Sequence, residues 1–258
     1  ETEALKPKEI SPKVYRVELE NATVLRARVI VPLSGSAAAQ ENAALAAVQF
    51  QGARIEPGES LSFNQTVGMR TEESGYTAAE EPAYGQNIVG VGGGVCQVST
   101  ALYRLALLGG LEIAERSAAG YPVDYCEIGQ EAAVSDQGLD LVLTNNTDAP
   151  LFLIVRVYAE NDGQTMEWQL IGKENESRFS LVSEVETIDA PEEPVYVRDS
   201  EGRYATYADE RIPVSEARPG YRATVSLVDE NGETIRVVSE DTYDAIAQIV
   251  YVGVQQRN

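Results

Sequence analysis

Cys96 is the residue best placed to do chemistry, because a glycine run delivers it to the start of a predicted helix. Apolar residues recur at helical spacing after the run, and two glycines end the pattern at Gly109-Gly110. A thiol in the first turn meets the positive end of the helix and unpaired backbone N–H groups, both of which favour the thiolate. The segment Gly92-Gly93-Gly94-Val95-Cys96 therefore predicts a nucleophile. The alternative is a small buried residue in a glycine turn.

The same helix should carry polar neighbours for this thiol. At 100° per residue, Cys96 lies away from the centre of the apolar stripe, and Ser99, Thr100 and Tyr103 fall on its side. Glycines before the helix let a backbone approach a ligand or an oxyanion.

Composition excludes several classes of function. The chain has 20 basic and 41 acidic residues, and a net charge of −21 repels nucleic acid and anionic lipid, so we expect neither as a partner. With no histidine, the chain has no Cys-His dyad, no Ser-His-Asp triad and no His-based zinc site. Two cysteines do not make a structural zinc site, and no EF-hand loop occurs. We therefore expect no metal and no cofactor.

No apolar run is long enough to cross a membrane, and no signal peptide opens the chain. The chain begins at Glu1 rather than Met, which suggests a trimmed or processed ectodomain whose targeting segment or anchor has been removed. We therefore expect no membrane contact from this part of the protein.

Periodicity predicts an N-terminal strand segment at 1–35, an α+β domain at 36–173 and a small all-β domain at 174–258. In the α+β domain, a central helix that carries the cysteine should pack on a mainly antiparallel sheet. A helix from Ala37 to Gln51 is predicted, with Ser36 as its N-cap, whereas Gly75–Gly94 should be loop. Asn231-Gly232 predicts a type I′ hairpin turn. Strands are also predicted at 61–63, 111–114, 123–125, 132–134, 139–143, 151–158, 165–171, 181–187, 195–197, 221–228, 234–238 and 246–252.

Several ordered motifs resemble the VanW family over residues of about 40–171. They are Asn42-Ala43-Ala44, Ile55-Glu56-Pro57-Gly58-Glu59-Ser60-Leu61-Ser62-Phe63-Asn64, Val67-Gly68-Met69-Arg70-Thr71, the segment Gly92–Tyr103, Glu115-Arg116, and Asp140-Leu141 leading to Asn145-Asn146-Thr147. Residues of about 174–254 resemble a G-five domain in Pro219-Gly220, Asn231-Gly232 and the closing Val250-Tyr251-Val252-Gly253.

The resemblance implies an extracellular protein of the cell wall, in a Gram-positive bacterium, with peptidoglycan stem peptides or glycan as partner. It implies an L,D-transpeptidase that forms an acyl-enzyme at Cys96. Backbone N–H groups around Gly93, Gly94 and Gln97 would hold the oxyanion. A substrate carboxylate would be bound by Arg70 or Arg116; the alternative for each is an exposed structural arginine. Ser99, Thr100 and Tyr103 complete the predicted binding set.

This chain departs from the family pattern at the general base. Ala119 stands where the resemblance places a histidine, and Glu131 where it places an aspartate. Glu131 or Asp124 would then have to serve as the base, although an ordinary carboxylate is poorly matched to a thiol. The alternative function is therefore a non-catalytic module that binds peptidoglycan or glycan.

Cys126 leaves a third alternative open. It can be filler in the core, or it can form a disulfide with Cys96, which would cap the nucleophile and indicate a structural or adhesive ectodomain.

Overall fold

Residues 24–83, 86–160, 163–173 and 178–256 are described by a computed structural model. They divide into two units. The described residues of unit 1 lie within Glu1–Glu81, Ile88–Ser117 and Ala132–Arg178, and those of unit 2 within Pro82–Asn87, Ala118–Glu131 and Phe179–Asn258. Residues 118–131 thus belong to unit 2, although they fall inside the range predicted for the first domain. The strand pattern predicted before residue 24 lies outside the described residues.

Among the described residues up to 173, strands of 2 to 10 residues alternate with three α-helices. In chain order they are β1 (Val24–Pro32), α1 (Ala37–Ala47), β2 (Arg54–Ile55), β3 (Ser60–Ser62), α2 (Phe63–Val67), β4 (Ala78–Ala83), β5 (Gln86–Val91), α3 (Cys96–Gly109), β6 (Glu112–Glu115), β7 (Val142–Thr144), β8 (Leu151–Glu160) and β9 (Gly163–Gly172). Short 3₁₀ turns occupy Val48–Phe50 and Glu72–Ser74.

An antiparallel sheet in the order β1-β9-β8-β2 forms the main layer of unit 1, and a second antiparallel sheet has the order β3-β7-β6. Helix α3 packs on β1 and β9 of the main sheet. Trp168 of β9 is fully buried, and its ring lies 5.5 Å from that of Phe50. The predicted architecture, a central cysteine-bearing helix on a mainly antiparallel sheet, is confirmed.

Local signals set the ends of the two long helices. The Ser36 hydroxyl accepts the N–H of Ala39 and caps α1, as predicted. Gly110 ends α3 in the left-handed conformation at φ +78°, where a glycine avoids the steric penalty that a side chain meets.

Three predictions within the range 36–173 are wrong. The range Gly75–Gly94 holds β4 and β5, which form a two-stranded sheet, rather than only loop. Neither 123–125 nor 132–134 is a strand; in the second range Ala133 makes an isolated bridge to Ser117. The backbone of Ala132 bonds to side chains of α3 rather than to a neighbouring strand: its carbonyl accepts from the Ser99 hydroxyl, and its N–H donates to the Thr100 hydroxyl. Helix α2, capped by the Ser62 hydroxyl, was missed.

The C-terminal part of unit 2 is all-β, as predicted. Strands β10 (Ser180–Ile188), β13 (Gly220–Val228) and β14 (Thr234–Tyr243) form one antiparallel sheet. Strands β11 (Val195–Asp199), β15 (Ile249–Gly253) and β12 (Arg211–Pro213) form another, in which β11 runs parallel to β15 and β12 antiparallel to it.

The hairpin between β13 and β14 is confirmed, but its turn differs from the predicted type I′. The Gly232 N–H donates to the Asp229 carbonyl at 3.1 Å, which puts Glu230 and Asn231 at the centre of the turn. Gly232 follows them with φ +81°, as in a three-residue loop with a glycine bulge. No helix in the described part of the chain is long and apolar enough to cross a membrane.

Candidate functional site

Cys96 is the first residue of α3, and its side chain is half-buried. Val95 precedes it with helical backbone angles, and no side chain caps this helix end. The thiol donates to the carbonyl oxygen of Val134, with 3.5 Å between Sγ and O. A neutral carbonyl thus orients the S–H group. Cys126 lies in unit 2 whereas Cys96 lies in unit 1, and the disulfide between them stays an alternative.

Three amides of the predicted oxyanion segment already donate hydrogen bonds. The N–H groups of Gly93, Val95 and Gln97 point to carbonyls three residues back, at 3.3, 3.2 and 3.2 Å. These bonds are at or beyond the long end of the normal range. The expectation of unpaired amides at the helix start is therefore not met at these three positions.

The three glycines before Cys96 are buried, and each packs against a different segment of unit 1. A Cβ on Gly92 would lie 2.9 Å from Cβ of Arg70. On Gly93 it would lie 2.5 Å from the Ala79 carbonyl oxygen of β4, and on Gly94 it would lie 2.3 Å from the Ala39 carbonyl oxygen of α1. The protein's own backbone occupies the space that these glycines leave.

Asn42 of α1 holds the glycine run against β4 with its buried amide side chain. Its Nδ2 donates to the carbonyls of Thr77 and Gly93 at 2.9 and 3.0 Å, and its Oδ1 accepts the Thr77 N–H at 2.9 Å. The amide thereby ties the start of β4 to the glycine run. Loss of such a buried group would leave several backbone groups unsatisfied.

The polar side of α3 is covered rather than open. Ser99 Oγ donates to the Ala132 carbonyl at 2.6 Å, and Thr100 Oγ1 accepts the Ala132 N–H at 3.1 Å. Both side chains are buried. They fix the segment that brings the Val134 carbonyl to the thiol, so they position the site rather than line an accessible surface.

The remaining predicted residues of α3 are also engaged. Gln97 is buried and holds the backbone of Ser34, whose N–H donates to its Oε1 at 2.8 Å and whose carbonyl accepts from its Nε2 at 3.2 Å. Tyr103 is buried, and the guanidinium of Arg116 lies 5.3 Å from its ring centroid. Arg116 itself is half-buried, and of the two predicted arginines it is the more accessible.

Arg70 is held by protein groups. It is buried, and its Nε pairs with Asp136 Oδ1 at 2.8 Å while its Nη1 donates to Asn64 Oδ1 at 2.7 Å. Its backbone N–H also donates to Asp136 at 3.1 Å. Burial raises the pKa of the adjacent Tyr76, and the charge of Arg70 opposes that rise. A guanidinium committed in this way is a structural cross-link between 64–70 and 136.

The two predicted bases lie in unit 2, whereas Cys96 lies in unit 1. Glu131 is buried; its carboxylate accepts the Gly129 N–H at 3.0 Å and the hydroxyl of Tyr243. Its neighbour Gln130 donates to Ser183 Oγ at 3.0 Å. Asp124 is exposed, and Cys126 is half-buried. Glu131 therefore anchors the segment 118–131 to unit 2.

Sequence reasoning missed Asn42, Asn64 and Asp136 as residues that hold the site. Asn64 donates to the carbonyls of Ser135 and Leu139, and its N–H donates to Asp140 Oδ1 at 2.9 Å. Asn42 and Asn64 each lie in a segment that resembles the VanW family. A polar residue in an alanine-rich helix could have indicated that Asn42 is buried and hydrogen-bonded. Nothing in the spacing marked Asp136. No three His, Cys, Asp or Glu residues of the described chain are grouped to hold a metal ion.

The arrangement as a whole presents one half-buried thiol on a rigid support. Every side chain of unit 1 that was predicted to accompany it packs or hydrogen-bonds within the unit, and Arg116 alone among them combines a charge with partial exposure. Such a site can present a nucleophile to an electrophile.

Comparison with known proteins places this site within a family. A family model described as "VanW like protein" matches residues 38–169. The uncharacterized protein YoaR of Bacillus subtilis is 35% identical over 125 residues, which are 48% of this chain and 41% of that protein. The vancomycin B-type resistance protein VanW of Enterococcus faecalis is 29% identical over 181 residues, 67% of this chain and 61% of that protein.

This chain thus spans less than two thirds of the length of either relative. A search of solved structures matched the crystal structure of HP0197-G5, with 14% identity, 30% of this chain and 100% of that chain covered, and a TM-score of 0.13. So low a score carries no argument, and the G-five resemblance of unit 2 stays a prediction. The family model, by contrast, covers just over half of the chain and includes Cys96, its glycine run and both asparagines that hold the site: the chain belongs to the VanW-like family.

Proposed function

We propose that this chain is an extracellular cell-wall protein whose VanW-like domain performs acyl transfer on peptidoglycan stem peptides through Cys96. The observation that carries the proposal is the position of the thiol: it is half-buried at the first residue of a packed helix, on a support that Gly93, Gly94 and Ser99 hold rigid. A nucleophile held in one geometry avoids much of the entropic cost of reaching its target.

The proposed step is a thiol–amide exchange. Sγ of Cys96 attacks a peptide carbonyl of a stem, a C–S bond forms, and the C–N bond breaks. The thiol proton goes to the leaving amine. The amine of a second stem then attacks the thioester, which forms a new amide and returns the proton to sulfur. Arg116 is the proposed contact for a substrate carboxylate, since Arg70 is committed to Asp136.

Matched single-thiol variants test the proposal, because both cysteines are half-buried. Cys126→Ser leaves Cys96, and Cys96→Ser leaves Cys126. We expect iodoacetamide to alkylate the first variant at least about tenfold faster at neutral pH, as for a thiol with raised thiolate character. Incubation with stem peptides should then give a thioester adduct, seen by intact mass spectrometry, in the first variant only. Equal alkylation rates and no adduct would contradict acyl transfer.

A second candidate is a binding module without chemistry. It is supported by the engagement of the predicted partners, since Glu131 is bonded by Gly129 and Tyr243, and by the lack of histidine in the sequence. This function predicts that the chain sediments with purified peptidoglycan sacculi equally well as wild type and as Cys96→Ala, with no change in the muropeptide profile. A profile that changes with wild type and not with Cys96→Ala would exclude it.

A further inference from the structure

Unit 2 contains an open pocket of about 440 Å³ on the sheet formed by β11, β15 and β12. Tyr196, Val197, Arg198, Arg211 and Val252 line it. Two of these five residues are arginines, in a protein with twice as many acidic as basic residues. The pocket shares no residue with the cysteine site of unit 1.

The strand register places the two arginines on one face of the sheet. Val252 of the central strand pairs with Arg198 of β11 on one side and with Arg211 of β12 on the other. Directly paired residues share a face, so the row reads Arg198–Val252–Arg211. Their Cα atoms are two strand spacings apart, roughly 9.6 Å, and both side chains are long enough to reach a group that lies over Val252. Tyr196, two residues before Arg198, lies on the same face.

The carboxylates nearest in sequence to these arginines are bonded elsewhere. Asp199 follows Arg198, and its oxygens accept the N–H groups of Arg203, Tyr204 and Ala205 at 3.1, 2.6 and 2.9 Å. Glu210 precedes Arg211, and its carboxylate accepts two backbone N–H groups.

The N–H groups that donate to Glu210 are those of Thr206 and Tyr207, at 2.8 and 3.0 Å. Among the residues that the structure describes, Arg198 forms no ion pair, and Arg211 donates only to the Ala208 carbonyl, at a long 3.5 Å. Two guanidinium groups thus face one pocket without a protein carboxylate between them.

We infer that this pocket binds an organic oxyanion, a carboxylate or phosphate carried on a ring. The guanidinium groups of Arg198 and Arg211 hold the oxyanion over Val252, since each presents a planar fork of donors that matches such oxygens. The ring of Tyr196, which is 59% exposed, stacks on the ring of the ligand. This site does not depend on the proposed reaction of Cys96.

Titration calorimetry of the full chain with phenyl phosphate, benzoate and inorganic phosphate, at low salt, tests the inference. We expect saturable binding at one site for phenyl phosphate or benzoate, and whichever binds tighter identifies the anion. Inorganic phosphate should bind more weakly because it has no ring. Failure of both ring compounds to bind saturably at millimolar concentration would overturn the inference.

Variants then assign the binding to the pocket. Arg198→Gln and Arg211→Gln should each weaken binding about tenfold or more, as expected for the loss of a charge-assisted hydrogen bond. Arg222→Gln is the matched control, because it removes the same charge from an exposed ion pair with Glu186 on the other sheet of unit 2. Its affinity should change by less than about twofold. An equal loss in Arg222→Gln would show a general charge effect and overturn the inference.

Two further measurements distinguish the loss of the binding site from the unfolding of a variant. Tyr196→Leu should weaken phenyl phosphate or benzoate and leave inorganic phosphate unchanged. In the wild-type chain, NMR amide shifts on titration should concentrate in β11, β12 and around Val252, and shifts spread over both units would contradict the assignment without any variant.

Discussion

Gly93→Ala separates two explanations of the glycine run: access for a ligand or close packing of the protein on itself. Gly93 lacks the left-handed backbone of its neighbours Gly92 and Gly94, so an alanine there meets no conformational penalty of that kind. Its Cβ would instead lie 2.5 Å from the Ala79 carbonyl oxygen and 2.8 Å from the Ala79 carbonyl carbon. Those atoms are backbone and have little freedom to move away.

The expected cost follows from that overlap. Non-bonded heavy atoms prefer about 3.5–4 Å, so the new methyl group is about 1 Å too close, and overpacking of this size costs about 1–3 kcal/mol. A shift of the loop would also strain the bond from Asn42 to the Gly93 carbonyl, worth about 1 kcal/mol. The reduced entropy of the unfolded chain returns about 0.4–1 kcal/mol. We therefore expect Gly93→Ala to lower the free energy of unfolding of unit 1 by about 1–3.5 kcal/mol.

Urea unfolding followed by tryptophan fluorescence measures this value. The chain has one tryptophan, Trp168, and it is fully buried in the core of unit 1, so its signal reports on that unit alone. Gly58→Ala is the control for backbone conformation without contact: its φ is +77° and nothing lies within 4 Å of the added Cβ. It should cost about 1 kcal/mol or less.

Gly94→Ala combines both penalties, with φ +101° and 2.3 Å to the Ala39 carbonyl oxygen, and should be the most damaging of the three. The packing argument is refuted if Gly93→Ala is as stable as Gly58→Ala. If that stable variant also loses iodoacetamide reactivity at Cys96, the glycine serves approach to the thiol instead.

Two ionic interactions give further predictions. Arg70→Ala should lower the free energy of unfolding of unit 1 by about 2–3 kcal/mol, because it leaves Asp136 and its neighbours without a buried partner. Lys173→Ala, which breaks an exposed ion pair of equal 2.8 Å length with Asp148, should lower it much less, because solvent screens that pair. Equal losses by tryptophan fluorescence would contradict the role of burial. Backbone hydrogen bonds hold the pKa of Asp199 below its ordinary value of 3.8, so its contribution to stability is present above that pH and is lost as the pH falls through and below it. Asp199→Asn should therefore weaken the acid dependence of the urea midpoint of unit 2, followed by tyrosine near-UV circular dichroism between about pH 5 and about pH 2, and an unchanged dependence would contradict it.

Local patterns predicted the elements that depend on neighbours in sequence. Ser36 marked the start of α1 and Gly110 the end of α3, because caps are satisfied within one turn. The long alternating strands of both units were also found. The strands missed in Gly75–Gly94 pair with each other, but proline, glycine and charged residues interrupt their alternation, so the local pattern favours a loop. The false strands at 123–125 and 132–134 do contain apolar residues, and the second, Ala-Ala-Val, is wholly apolar. The conformation of 132–134 depends instead on bonds such as Thr100 to Ala132, which no local window contains.

The location of the candidate nucleophile followed from the sequence, but the roles of its companions did not. Residue type marked Arg70 and Glu131 as able to bind or transfer protons. The structure gives each a protein partner instead, Asp136 and Tyr243. From the sequence alone, a charged side chain is taken to be free to bind a substrate or transfer a proton. Whether it can do so depends on which groups the fold packs against it.

By itself, the sequence determined that a cysteine begins a helix after three glycines, that this helix belongs to an α+β domain with an all-β region after it, and that no histidine assists the thiol. Those conclusions rest on residue identity and on periodicities shorter than about two helical turns. Only the tertiary structure decided that the three glycines make room for the protein's own backbone, that Ser99 and Thr100 are covered, and that Glu131 belongs to the other unit. Contacts between residues tens of positions apart fix these features, because burial and hydrogen-bond pairing are properties of the packed chain rather than of any segment of it.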